Sequence, residues 1–361
     1  MTRIRPLGLC FIFFLSAGLM NHVLVIPLLA ETGGRDAWLS ILLVMPPGLL
    51  GLALLYYLIQ RLSGSSLPQW TKARYGRAAS LLLTVPLLLQ LLLILFMTVK
   101  DTTNWTEATY LPRTPDLVVA LLFMGLCFAA AQFGIGSIAI MAYLLLPFVV
   151  ILGHFVMGAN IRYKDYSFLR PFLEHGMGPV WHGMLYASGG LAEMAVLLLV
   201  NHRLSKPFKL WGLLLAGTLV TSLSIGPLIG GYAEFGPAEM MKQRYPSYAQ
   251  WRLVSVGKYI EHLDFFAIYQ WLSGAFVRVS FAMFVIADVT GLKGRKRSFV
   301  LLLLSLLLVL AVLLPISDHR FLTMVKEIFI PYTVGSAILV LLAAAGLVFL
   351  ASRRKKANAN E

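Results

Sequence analysis

The sequence predicts an all-α membrane protein of about ten transmembrane helices. Three observations carry that expectation: too few charges, apolar runs of membrane-crossing length, and loops that alternate in charge. The chain has 361 residues, of which 59% are hydrophobic and only 13% charged. A soluble protein of ordinary composition carries roughly 25% charged residues. A transmembrane helix needs about 20 mainly apolar residues. Residues 81–97, 299–316 and 330–350 approach or reach that length without a charge.

The expected spans are 7–30, 38–60, 80–100, 117–132, 137–159, 180–201, 209–232, 265–288, 298–316 and 329–351. The first follows Arg3 and Arg5 as a signal peptide would, but its apolar stretch is too long for one, so it is read as a retained helix. Alternate loops are strongly basic. One set holds Arg3 and Arg5; Arg61, Lys72, Arg74 and Arg77; Arg203, Lys206 and Lys209; Lys293, Arg295, Lys296 and Arg297; and the tail from Arg353 to Lys356, with only Asp288 and Glu361 as acids. The other set mixes its bases with Glu31, Asp36, Asp101, Glu107, Glu234 and Glu239. The positive-inside rule places the basic loops and both termini in the cytoplasm.

Trp38, Trp105 and Trp181 fall at outer helix ends and Trp211 at an inner one, where amphipathic rings favour the membrane interface. The loops 64–79 and 232–264 are each long enough for a helix lying in that interface. The organisation expected is one transmembrane domain over 1–361, with helices 1–5 in 1–159, helices 6–10 in 160–351 and a basic cytoplasmic tail at 352–361.

Two spans contain interruptions. Span one carries Ser16-Ala17-Gly18 and then Asn21-His22, and span six carries Ser188-Gly189-Gly190 before Glu193. Gly-Gly is a poor helix former. At 1.5 Å per residue, Ser16 lies about 14 Å from the inner end of its span and Ser188 about 12 Å from the outer end of its own, so both are near the midplane. Irregular backbone at that depth survives where it is buried in protein or lines a cavity. Spans one and six are an odd five apart, which predicts an inverted five-plus-five repeat with broken helices 1 and 6 and a binding site at the midplane. Close helix packing is the competing reason for such small residues.

Glu193 in span six and Arg278 in span eight are the deepest ionisable residues, and each needs a partner. Both sit roughly 20 Å from the outer surface, so an ion pair is geometrically open to them. It would serve either to join two helices or to couple protonation to ligand binding. His22 and His154 are read as hydrogen-bonded helix residues. His175 and His182 lack a third ligand, so no metal is expected. Cys10 and Cys127 fall inside spans and are read as small buried hydrophobes. The net charge of +14 lies at helix ends rather than on a patch with interleaved aromatics, so the expected partner of the cations is the lipid bilayer and not nucleic acid. No H-E-x-x-H, G-x-S-x-G or G-x-x-x-x-G-K-[ST] occurs, and neither an enzyme nor a cofactor is expected.

Three stretches together resemble a known family. They are Leu15-Ser16-Ala17-Gly18-Leu19 through Ile26-Pro27 with Gly34-Arg35-Asp36-Ala37-Trp38; Leu169-Arg170-Pro171-Phe172 with Gly176-Met177-Gly178-Pro179, leading to Glu193; and Tyr245-Pro246, Tyr259 through Phe265, Trp271 and Arg278. In order and spacing they resemble the spore germination permeases, the B subunits of nutrient germinant receptors in endospore-forming bacteria. The resemblance implies the amino acid–polyamine–organocation superfamily fold and a single permease-like domain in the spore inner membrane or cytoplasmic membrane. It implies a small nutrient ligand, often an amino acid, and partner A and C subunits. Carried over by position, the ligand would lie near Ser16, Ala17, Gly18, Asn21, Ser188, Gly189 and Gly190, with helices three and eight closing the sides. Residues 138–146 lack the arginine many relatives carry there, and Glu261-His262 stands where others have Glu-Arg. Two alternatives to a germinant receptor share this frame: a proton-coupled amino-acid transporter with Glu193 as carrier, and a membrane scaffold whose glycines serve only packing.

Overall fold

The computed structural model describes residues 3–257 and 259–357. Glu361 and the end of the basic tail lie outside them. Helices account for the architecture, and no β-strand beyond two isolated bridges occurs among the described residues. The helices are α1 (Pro6–Leu19), α2 (Ile26–Gly33), α3 (Ala37–Arg61), α4 (Leu67–Thr109), α5 (Asp116–Phe133), α6 (Ile135–Ala159), α7 (Gly178–Ala187), α8 (Gly189–Glu193), α9 (Leu197–Val200), α10 (Leu210–Ser222), α11 (Ile225–Met240), α12 (Pro246–Arg252), α13 (Phe265–Val289), α14 (Gly294–Val312), α15 (Asp318–Met324) and α16 (Ile330–Ala357). Each of the ten stretches expected to span the membrane falls largely on a helix or a stack of short helices, with 298–316 running four residues past α14.

Eight stretches are long and apolar enough to cross a membrane. The first, Pro6–Arg61, contains two of the expected spans, divided at Gly34–Asp36. The helix α14 is apolar but opens on Arg295, Lys296 and Arg297, and is not one of the eight. The chain is a multi-pass integral membrane protein.

Local chemistry sets the helix starts. Proline occupies the first turn of α1, α4, α7 and α12, where its missing N–H costs nothing. Ser66 and Gln69 form a capping box at the start of α4. That helix begins in the loop expected to lie in the interface. It turns at Gly76, whose φ of 84° suits a residue without a Cβ, and then runs on as the long span.

The core lies where α13 packs on α1, α4, α5 and α6. The faces of α14 and α16 turned away from it expose Leu302, Leu306, Leu310, Leu339 and Leu342, the side chains expected to meet lipid. Among the described residues, Ile4 and Leu347 lie at the same end of the bundle. Ile4 donates to Arg203 O at 2.9 Å, Asn201 Nδ2 donates to Ser65 O at 2.8 Å, and Tyr75 Oη donates to Leu347 O at 2.6 Å. This is the end that carries the basic loops.

Two expectations need correction. Trp105 is not at the interface: it is fully buried and stacked on Trp271, with ring centroids 4.2 Å apart. α4 continues to Thr109, and protein buries it through Trp105, while Glu107 and Ala108 in its last turn are exposed. Nor does the 232–264 loop lie in the interface as a free amphipathic segment. Met240 and Trp251 are buried, Tyr245 reaches Asp101 on α4, and Tyr248 donates to Asp264 at the start of α13.

Candidate functional site

Span one does not unwind at Ser16-Ala17-Gly18. It stays helical, and its irregularity comes a turn later as a π-helical segment, Met20–Val25. The cause is Pro27, which has no N–H to donate back into the preceding turn. The carbonyls loosened there are taken up from other elements, because at membrane depth they have no water. Ser247 Oγ donates to His22 O at 2.9 Å and Ser224 Oγ to Asn21 O at 3.4 Å.

Span six is overwound rather than unwound. α7 ends at Ala187, and the chain continues through Ser188 into α8, a 3₁₀ turn at Met194–Val196, α9 and a second 3₁₀ turn at Asn201–Arg203. Short helices in series are what a Gly-Gly pair in an otherwise apolar run produces.

The two irregular regions touch. A Cβ on Gly189 would stand 2.4 Å from Met20 Cε, and one on Gly190 would stand 2.7 Å from Asn21 Oδ1. The glycines therefore admit the middle of span one. Asn21 Nδ2 donates to Val220 O at 2.7 Å, while its buried Oδ1 has no hydrogen-bond partner among the described residues. Ser16 and Ala17 are buried and Gly18 is half-buried near Leu223. Ser188 is also half-buried and donates within its own turn to Leu185 O. Met20, which lies against Gly189 and near Arg278, is a residue of this junction that sequence reasoning misses. A flexible apolar residue next to a polar pair has no signature beyond its position.

The structure brings Arg278 and Glu193 together. The carboxylate accepts two bonds from the guanidinium, one of 2.6 Å from Nη1 to Oε2 and the other from Nη2 to Oε1. Arg278 is 1% exposed and Glu193 2%. The guanidinium also donates from Nε to Thr98 Oγ1 at 2.9 Å and from Nη1 to Ser16 O at 2.9 Å, and Met20 Sδ lies 3.8 Å from Nη2. One side chain thus ties spans one, three, six and eight. Satisfying several donors around a bidentate pair is what makes so deep a charge tolerable. The open space beside it is about 10 Å³, room for about one water, and is lined by Phe13, Ser16, Leu91, Ile94, Val196 and Phe281.

Polar clusters seal both ends of the bundle. At the end away from the termini, Asp101 on α4 accepts from Arg244 Nη2 at 2.6 Å and from Tyr245 Oη at 3.3 Å. Burial disfavours the Arg244 charge, but Asp101, Tyr245 and Asp318 together outweigh it and hold the arginine protonated. Burial, and then the charge of Asp101, push the Tyr245 phenol above its usual range, so it stays a donor. In sequence Asp101 falls just beyond an expected span, in a loop, and nothing there marks this clamp. At the other end Asp288 accepts from Arg203 Nε at 3.0 Å and lies 3.1 Å from His202 Nε2.

The remaining candidates stand apart. His154 Nδ1 and His182 Nδ1 each face a carbonyl one turn back, Val150 O and Gly178 O. His175 lines an open pocket of about 190 Å³ with Arg35 and Glu174. No group of metal-ligating side chains occurs among the described residues.

Comparison with known proteins shows the family and the fold. The family model described as "Spore germination protein" matches residues 6–320. The chain belongs to this family. Spore germination protein XB of Bacillus anthracis is 36% identical over 343 residues, covering 95% of this chain and 96% of that one. Spore germination protein KB of Bacillus subtilis (strain 168) is 23% identical over 292 residues, 78% of this chain and 76% of its own. The crystal structure of MhsT in complex with L-phenylalanine covers 97% of this germination protein and 99% of itself, with a TM-score of 0.63 at 13% identity. That likeness shows a shared fold.

Proposed function

We propose that this germination protein is the nutrient-binding membrane subunit of a germinant receptor. In this reading it is a ten-span protein with both termini in the cytoplasm and its two five-helix halves inverted relative to each other. It sits in the spore inner membrane beside A and C partner subunits. It performs no catalysis and needs no cofactor. A small nutrient, an amino acid, binds between the middle of span one and the Gly189-Gly190 segment of span six. Binding shifts the balance between two conformations, and the partner subunits read that shift. A ligand does this only by binding one conformation better than the other.

The observation that carries the reading is the meeting of Met20 and Asn21 with Gly189 and Gly190 beside the Arg278–Glu193 pair. Sealed clusters above and below it suit a site that opens to one side at a time. Family membership and the transporter-like fold are consistent with it. A second reading, a proton-coupled amino-acid transporter, is favoured by one observation: an acid, Glu193, buried at the same site.

The test is thermal stabilisation of the purified protein by amino acids, sugars and nucleosides. A ligand at a hundred times its Kd stabilises by about 2.7 kcal/mol. One ligand class is expected to raise Tm, and Gly189→Leu to remove the shift while leaving the unliganded protein folded. No shift with any ligand, for protein alone or joined to its partner subunits, would contradict the reading. Flux across vesicles separates sensor from transporter: a transporter accumulates ligand down a proton gradient and loses this with Glu193→Gln.

A further inference from the structure

We infer that the outward face of α6 docks a transmembrane helix of a different protein, and that this helix brings a hydrogen-bond donor to His154 Nε2. The surface follows from the membrane-spanning fold and does not depend on what binds at the centre of the bundle.

α6 is long and apolar enough to cross the membrane, and the rest of the chain covers little of it. A stripe of exposed residues runs its length: Ile140, Leu144, Pro147, Ile151, His154 and Gly158. Their spacing alternates four and three, the seam along which a second helix packs. Lipid tails are as apolar as leucine, so the apolar members of the stripe do not say what covers them. His154 does. A polar ring turned to hydrocarbon is unfavourable, and intramembrane histidines almost always face protein or a water-filled cavity.

Nor does the ring escape to the headgroups. Helical side chains lean towards the N-terminus of their helix. α6 begins at the end of the bundle that carries the basic loops, beside Arg297, which donates to Gln132 O at 3.1 Å. His154 therefore leans back into the bilayer, and its Nδ1 lies 2.9 Å from Val150 O, one turn deeper. Val150 is nine residues from the end of α6 at Ala159, or about 14 Å. His182 makes the same contact with Gly178 O on α7. That helix runs the opposite way, so the His182 ring leans out towards the nearby end of the bundle.

The ring's tautomer sets the chemistry of the partner. A carbonyl only accepts, so Nδ1 carries the proton, and Nε2 of the neutral ring is an acceptor. Nε2 has no hydrogen-bond partner among the described residues. A second copy of this chain docked through the same stripe would bring an identical acceptor, and two acceptors do not bond. The complement is a different helix, with a hydroxyl, amide or ammonium at the depth of the ring. Pro147, two turns along the stripe, has no N–H and leaves the Tyr143 carbonyl without its helical donor. A helix carrying donors would serve both acceptors.

Photocross-linking of the full chain in its own cell membrane tests this. The photoreactive residue p-benzoylphenylalanine replaces Phe148 or Ile151 on this face, or Leu342 on α16 as a control; the three are 61%, 62% and 61% exposed, so exposure alone does not separate them. The two α6 positions are expected to capture one other protein, through a transmembrane helix with a donor side chain at the depth of His154, and Leu342 is expected not to. His154→Leu is expected to lower that yield by about threefold to tenfold, the worth of one interhelical hydrogen bond in a membrane. His154→Gln, whose amide oxygen accepts in place of Nε2, is expected to keep it. The purified His154→Leu protein is expected to hold its Tm within a few degrees, because nothing described in the chain bonds Nε2. Cross-links to lipid alone, or to a second copy of this chain, would overturn the proposal. So would a partner captured equally from Leu342, or a yield that His154→Leu leaves unchanged.

Discussion

Arg278 is the side chain on which the centre of this molecule depends. It donates to spans one, three and six at once, from a position 1% exposed. Breaking such a pair from one side leaves an uncompensated charge. Glu193→Ala is therefore expected to destabilise the protein by about 3–5 kcal/mol, and Arg278→Met combined with Glu193→Leu by much less. Thermal unfolding of the three proteins in one detergent checks the order. Equal losses for single and double variants would mean that the pair's charge is not what matters. The pair is legible in the sequence because depth along a helix is simple arithmetic. The Asp101–Arg244 clamp is not: Asp101 ends an apolar run, and a charge at such a position reads as solvated unless the partner, 143 residues on, is known. Trp105 misleads for the same reason, since a tryptophan at a span's end reads as an interface anchor whether or not protein covers it.

At the scale of elements, the two interrupted spans are visible from composition but their form is not. Small residues at Ser16-Ala17-Gly18 draw attention to the wrong turn; the distortion follows Pro27 back to Met20–Val25. Pro27→Ala restores the missing N–H and is expected to convert that segment towards an ordinary α-helix, freeing Ser247 from His22 O. Faster amide exchange over 246–252 than in the native protein is the readout, and unchanged exchange would show that the π segment does not depend on the proline. α11 and α12 form the cover over that end of the bundle, held by Arg244 and Tyr245 on Asp101 and by Tyr248 on Asp264. Arg244→Met is expected to loosen this cover and raise amide exchange across 236–252 without changing exchange in α14. Exchange that rises equally everywhere would point to global destabilisation instead.

For the whole molecule, the main outline can be read from sequence because a membrane leaves few choices. Every span must satisfy its own backbone and be long enough to cross, so helices follow from apolar runs. The expected stretches fall largely on the observed helices, and Ile4 and Leu347 both lie at the basic end of the bundle. Sidedness follows if that end faces the cytoplasm. Cysteines placed at Arg295 and Lys242 are expected to label from opposite sides of sealed vesicles with a membrane-impermeant thiol reagent; labelling of both from one side would contradict the topology. What sequence alone does not carry is how spans distant along the chain share one centre, since nothing local marks Thr98, Ser16, Glu193 and Arg278 as neighbours.

A structure of the protein determined with a stabilising nutrient bound is the most direct measurement of that centre. The ligand is expected between Met20 and Asn21 of span one and Gly189-Gly190 of span six, beside the Arg278–Glu193 pair. A ligand bound elsewhere would contradict the proposed site.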